Sequence, residues 1–227
     1  MGWTEFVPRA STIINEQIRP AMDAARSVGI PIVHVAAGHY AHRYPQWRIL
    51  MELVPSEDLG FGDQDLIPDG QREPGSVEGG EWWEEYYEEV FGLGYNTVWS
   101  SIVGDDAQLS LDIAAPVKPQ PQDYVVTHGT HLNRILRGLG IWNLIYVGFA
   151  TDLCLMDVPA AIKEMALRFN YRCILLRDCT TTVEQHDTID RLARTKLAIR
   201  QVEYYLGYTT TSEDFVAACE AVATGEG

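Results

Sequence analysis

The pattern that most narrows the fold is a strict alternation of short apolar runs and helical periods in the second half of the chain. Asp123 to Thr127, Trp142 to Gly148, Tyr171 to Leu176 and Tyr208 to Thr211 read as strands. Between and after them lie helical stretches at His131 to Leu139, closed by Gly140, at about Asp152 to Phe169, at about Asp187 to Leu206, and after Ser212 as an N-cap. Upstream, Ile13, Ile14, Ile18, Met22 and Ala25 place a helix over about Ala10 to Ser27, kinked at Pro20 and stopped at Gly29, before a strand at Pro31 to Val35. Strands that alternate with helices predict an α/β fold, a Rossmann-like, mainly parallel sheet with helices on both faces. At 227 residues one domain over 1–227 is expected.

Between about 39 and 121 the periodicity gives way to an irregular acidic insertion rich in Gly, Pro and aromatics. Within it, Glu81 to Val90 puts Trp82, Trp83, Tyr86 and Tyr87 on one side of a predicted helix. A segment of this length is expected to cap the sheet's active edge or to make an oligomer contact. The net charge of −15 argues against nucleic acid and against anionic membrane surfaces as partners. No apolar run approaches the ~20 residues that span a bilayer, and the first residues lack a signal-peptide pattern, so a cytoplasmic protein is expected. Cys154, Cys173, Cys179 and Cys219 form no CxxC or Cys/His cluster, which predicts reduced thiols and no structural zinc.

One turn carries chemistry. Gly148-Phe149-Ala150-Thr151-Asp152-Leu153-Cys154 joins a predicted buried strand to a predicted helix. A thiol there would meet unpaired amides that favour a thiolate and a developing oxyanion. The alternative is a small, inert, buried cysteine. Asp152 is expected to cap the helix, although its charge could instead oppose a thiolate. Cys173 and Cys179 read as core.

Gly148, Thr151, Cys154 and Asp178, set on these strands and helices, resemble the isochorismatase-like cysteine hydrolases, the superfamily that includes nicotinamidases and N-carbamoyl amide hydrolases. The resemblance covers roughly Ile18 to Val35 and Asp123 to Phe215. It implies a three-layer sandwich and a Cys154 thiolate that attacks a small-molecule amide. It also implies a cis peptide entering Thr151, with the amides of Thr151 and Cys154 as an oxyanion hole. The pattern departs from the family in two places. The family's first strand, which ends in an Asp base and lies mid-sheet, has no counterpart, so the sequence is expected to be short at its N-terminus. In a divergent member, Trp3 to Val7 or a partner chain would fill the gap.

At the family's Lys position stands His128, a candidate acid/base or a structural residue of the turn. Lys118 lies too far upstream to substitute. His39 and His42 sit near the metal site of nicotinamidases, but Ala37 replaces the Asp ligand there. Substrate contact or loop packing is therefore expected of these two histidines, with no metal and no cofactor. A cysteine hydrolase acting on a small molecule, as a homo-oligomer, is the leading reading. A non-catalytic homologue serving as a binding or assembly subunit is the alternative.

Overall fold

The computed structural model describes residues 2–53 and 112–225. The predicted Glu81 to Val90 helix and most of the 39–121 insertion lie outside these residues. Residues 1–52 and 113–227 belong to one compact unit.

The chain opens with a helix that starts well before the predicted Ala10. α1 (Gly2–Ile13) passes through a π turn (Ile14–Ile18) into α2 (Arg19–Ser27). Pro8 lies inside α1. Phe6 and Ala10 nevertheless bury against Ala150 and Phe149, and that packing outweighs Pro8's poor helix propensity. Trp3 to Val7 are thus helical and supply no strand. The kink expected at Pro20 takes the form of the π turn just before it. There the Arg19 N–H reaches back to the Ile14 carbonyl, a widened turn that accommodates a ring with no N–H to give.

The strands are β1 (Val33–Val35), β2 (Tyr124–Val126), β3 (Asn143–Phe149), β4 (Arg172–Thr181) and β5 (Gly207–Thr210). Every pairing is parallel. Among the described residues they form two sheets, β1–β2 and β3–β4–β5, so β1 pairs with β2 alone and β3 with β4 alone. Val35 on β1 and Ile145 on β3 remain 39% and 38% exposed.

Helices cover β4 on both sides, because consecutive strand residues point to opposite faces. Leu175 joins a core with Tyr146, Leu155, Met156, Met165 and Val202. Its neighbour Leu176 joins Ile18, Met22 and Cys179, packed by Phe215 and Val216. The expected three-layer arrangement therefore holds around β4: α2 and α8 (Ser212–Thr224) on one face, with α5 (Gly129–Leu139), α6 (Cys154–Asp157) and α7 (Ala193–Tyr205) on the other. Two short helices, α3 (Gly38–Ala41) and α4 (Pro45–Leu53), follow β1. No helix among the described residues is long and apolar enough to cross a membrane.

β4 outruns its predicted end at Leu176. Tyr146 pairs with Leu175, whereas Gly148 pairs with Thr180, so residues between them bulge out before pairing resumes. The bulge frees Asp178 to accept hydrogen bonds from the Ser212 N–H (2.8 Å) and hydroxyl (2.5 Å), which anchors the start of α8. The N-cap itself is Thr211, one residue before the expected Ser212.

Gly207 pairs with Cys173 where β5 meets β4. A Cβ at Gly207 would stand 2.1 Å from the Cys173 carbonyl oxygen and 2.9 Å from its carbon. Backbone atoms of a central strand cannot give way there. Gly207→Ala is expected to cost about 3 kcal/mol, the upper end for overpacking, in urea unfolding; an unchanged midpoint would refute the close approach.

Candidate active site around Cys154

The long helix predicted over Asp152 to Phe169 is broken. α6 is a single turn, Cys154–Asp157, followed by extended Val158. Pro159 dictates both features, since it has no N–H and forces the preceding residue out of the helical region. Ala160 then adopts a positive φ of 67° in full burial. Its carbonyl accepts from the Tyr146 hydroxyl, and its N–H donates to Glu164. A second short π turn, Glu164–Arg168, completes the connection.

The break leaves Cys154 exposed at the first residue of α6. The other three cysteines are buried. Burial pushes the Cys173 thiol up to about 12, and burial followed by the Asp178 charge does the same for Cys179. Cys219 is also raised, by burial and then by Glu220. One accessible thiol among four is the consequence. Iodoacetamide is expected to add a single label, at Cys154, to the native protein and four after denaturation; mass spectrometry of the labelled peptides checks this, and native labelling at Cys173 or Cys179 would contradict it.

Behind the turn lies a layer of threonines. The Thr151 hydroxyl, fully buried, shares a hydrogen bond of 2.7 Å with Thr180. The Thr151 N–H, expected to face an oxyanion, donates instead to the Thr181 carbonyl at 3.1 Å, which extends the β3–β4 ladder by one bond. The cis peptide likewise falls one residue earlier than expected, at Phe149–Ala150. Phe149 pairs with Thr181, so the β3–β4 ladder runs to the edge of the turn. Among the described residues, no backbone carbonyl accepts from the amides of Ala150 or Cys154.

Asp152 does not cap α6, whose N-cap Leu153 has no side-chain cap bond. Its carboxylate turns the other way, accepting from the Thr182 hydroxyl and from Arg194 Nη2, the latter at 2.5 Å. Arg9, from the N-terminal helix, donates to the Thr181 hydroxyl (2.8 Å) and the Thr182 carbonyl (2.9 Å). Sequence reading passed over Arg9, Thr182 and Arg194. Their partners lie too far along the chain for any local pattern to connect them.

His128 stands in extended conformation between β2 and α5. Its Nδ1 lies 2.7 Å from the Thr127 hydroxyl, and its ring meets that of His131 edge-on at 5.3 Å. Burial, then the charges of His128 and Arg134, lowers His131 to about 4, so it is neutral at physiological pH. Val126 and Leu132, neighbours of this pair, share one core cluster with Leu155 and Met156, the residues after Cys154. His42 is exposed at the end of α3, where its backbone carbonyl accepts from Arg48. His39 lies within α3, and its side chain falls outside the described residues. No group of three or more metal-ligating side chains occurs among the described residues.

The family model for the isochorismatase domain matches residues 106–214. The ureidoacrylate amidohydrolase RutB of Variovorax paradoxus is 30% identical over 112 residues, which cover 46% of this chain and 40% of that protein. The RutB protein of Azorhizobium caulinodans is 33% identical over 104 residues, 43% of this chain and 41% of its own length. The chain spans less than half the length of these curated relatives. A crystal structure of a cysteine hydrolase from Pseudomonas syringae pv. phaseolicola superposes with a TM-score of 0.53 at 15% identity, over 94% of this chain and 82% of that one, and so shares the fold. Over its second half, which holds the Gly148–Cys154 turn, this chain is thus similar to the isochorismatase domain and to the RutB amidohydrolases, and it shares its fold with a cysteine hydrolase.

Proposed function

We propose that the protein hydrolyses a C–N bond of a small amide through Cys154. The observation that carries this reading is the exposed thiol at the strand-to-helix turn, the one cysteine of four open to solvent. Attack by Sγ on the substrate carbonyl forms a C–S bond, and the amides of Cys154 and Ala150 are the candidate donors to the resulting oxyanion. The C–N bond then breaks as the leaving nitrogen takes a proton, for which His128 is the candidate donor. Water adds to the thioester, returning the acid and the free thiol. His39 and His42 are candidates for substrate contact. The scheme uses no metal or cofactor.

RutB relatives act, by name, on ureidoacrylate, which favours a ureido acid or a similar small acyl amide as substrate. A cytoplasmic homo-oligomer is part of the same proposal. Ammonia release from a panel of ureido acids, N-carbamoyl amino acids and nicotinamide tests the reaction. Turnover of one class supports it. Absence of turnover across the panel, with the thiol intact, favours a non-catalytic binding or assembly subunit.

A further inference from the structure

Asp152 raises an electrostatic problem for a nucleophile two residues away. The carboxylate turns away from α6, but it belongs to the same turn as Cys154, and a negative charge there opposes a forming thiolate unless another charge cancels it. Arg194 does so at 2.5 Å, and the chain that holds Arg194 is built into the core. The backbone N–H of Arg194 donates to Glu184 Oε2 (3.1 Å), while the N–H and hydroxyl of Thr195 both donate to Glu184 Oε1 (2.8 Å each). Glu184 has no solvent exposure, and among the described residues no basic side chain forms an ion pair with it.

Burial alone would raise the Glu184 carboxyl. Hydrogen bonds led by the Thr195 N–H outweigh burial and hold it below the usual range, so it stays charged and clamps the first turn of α7. Thr195 carries the clamp onward: its hydroxyl accepts from the Thr182 N–H at 3.1 Å, and the Thr182 hydroxyl donates to Asp152. Two routes therefore run from Glu184 to the turn, one through Arg194 and one through Thr195 and Thr182.

We propose that Glu184, Arg194 and Asp152 form a positioning relay that docks α7 against the nucleophile turn and cancels the Asp152 charge next to Cys154. The inference rests on Cys154 as nucleophile. Its test needs no substrate, so the two can fail separately.

The rate of Cys154 alkylation by iodoacetamide at neutral pH is the readout, with the other three thiols as an internal report of folding. Arg194→Met is expected to slow labelling about fivefold by leaving the carboxylate uncancelled. Arg194→Lys should stay within about twofold of the parent, since the charge remains. Adding Asp152→Asn to Arg194→Met should restore the parent rate to within about twofold, which a purely structural role of the arginine would not produce. A parent-like rate for Arg194→Met, or a double variant as slow as Arg194→Met, would overturn the relay. Should Arg194→Met expose all four thiols, Arg194→Gln carries the same expectation and the same refutation.

Discussion

Cys154→Ala is expected to reduce ammonia release from the preferred amide by about 10⁶-fold, the scale on which removal of a covalent nucleophile acts in hydrolases. The effect should fall on kcat. Sγ makes its bond only as the reaction proceeds, so binding of the intact amide changes little. Stability is the control. Cys154 is exposed and belongs to no core cluster, so its replacement should shift the unfolding free energy by no more than about 0.5 kcal/mol. Cys173→Ala makes the useful contrast, because that side chain is fully buried in the main core. It should cost stability and spare the chemistry of the molecules that remain folded. Full ammonia release by Cys154→Ala would remove the thiol from the mechanism and leave the exposed turn without a catalytic part.

A loss of stability as large as that at Gly207 is expected at the far end of the β1–β2 pair. Asp123, 3% exposed, accepts from Arg26 Nη2 at 2.6 Å, lies 3.1 Å from His34 Nε2 and accepts the Gln120 N–H at 2.9 Å. It joins α2, β1 and the entry to β2 in one polar knot. Asp123→Ala leaves Arg26 and His34 half-desolvated without their shared acceptor. The cost should be about 3 kcal/mol, the lower end for breaking a buried pair, because Arg26 also reaches Asp23 at 3.5 Å. For a chain of this size that corresponds to a melting temperature lower by about 6–12 °C.

The same knot predicts a pH dependence. Burial lowers His34 from its usual 6.5, against the pull of Asp123, and burial likewise lowers His131 to about 4. The unfolded chain therefore takes up these protons first as pH falls below 6.5, and stability declines from there toward pH 4. For Asp123, burial opposes the charged form, but Arg26, Gln120 and His34 together hold the carboxyl below its usual 3.8; for Glu184 the hydrogen bonds from Thr195 have the same effect against a usual 4.5. Their stabilisation is complete above those usual values and is lost as pH drops through the folded ones. Thermal melts at about 0.15 M salt, where surface repulsion is screened beyond about 8 Å, should show a plateau above pH 7 and a fall below pH 6.5. A melting temperature that rises on acidification over that range would contradict the assignment.

The parts of the fold that could be read from the sequence are those set by local repetition. β3 and β5 fall within a residue of their predicted ends, and α5 closes at Gly140, whose φ of +68° a glycine adopts at no steric cost. Pro159 lay in plain view, yet the helical reading of Asp152 to Phe169 ran past it, although a proline breaks a helix whatever surrounds it. The helical start at Gly2 was not legible, since only burial of Phe6 and Ala10 against Ala150 sustains a helix through Pro8.

The site divides along the same line. Sequence alone determined which residue is the candidate nucleophile and that it follows a strand, because Gly148 to Cys154 is one contiguous segment. Tertiary structure alone decided which amides of that turn remain free, that Asp152 faces Arg194 rather than its own helix, and that Arg9 and Glu184 stand behind it. Those outcomes depend on the register between β3 and β4 and on side chains 10 to 173 positions apart, where short-range periodicity carries no information and only packing brings partners together.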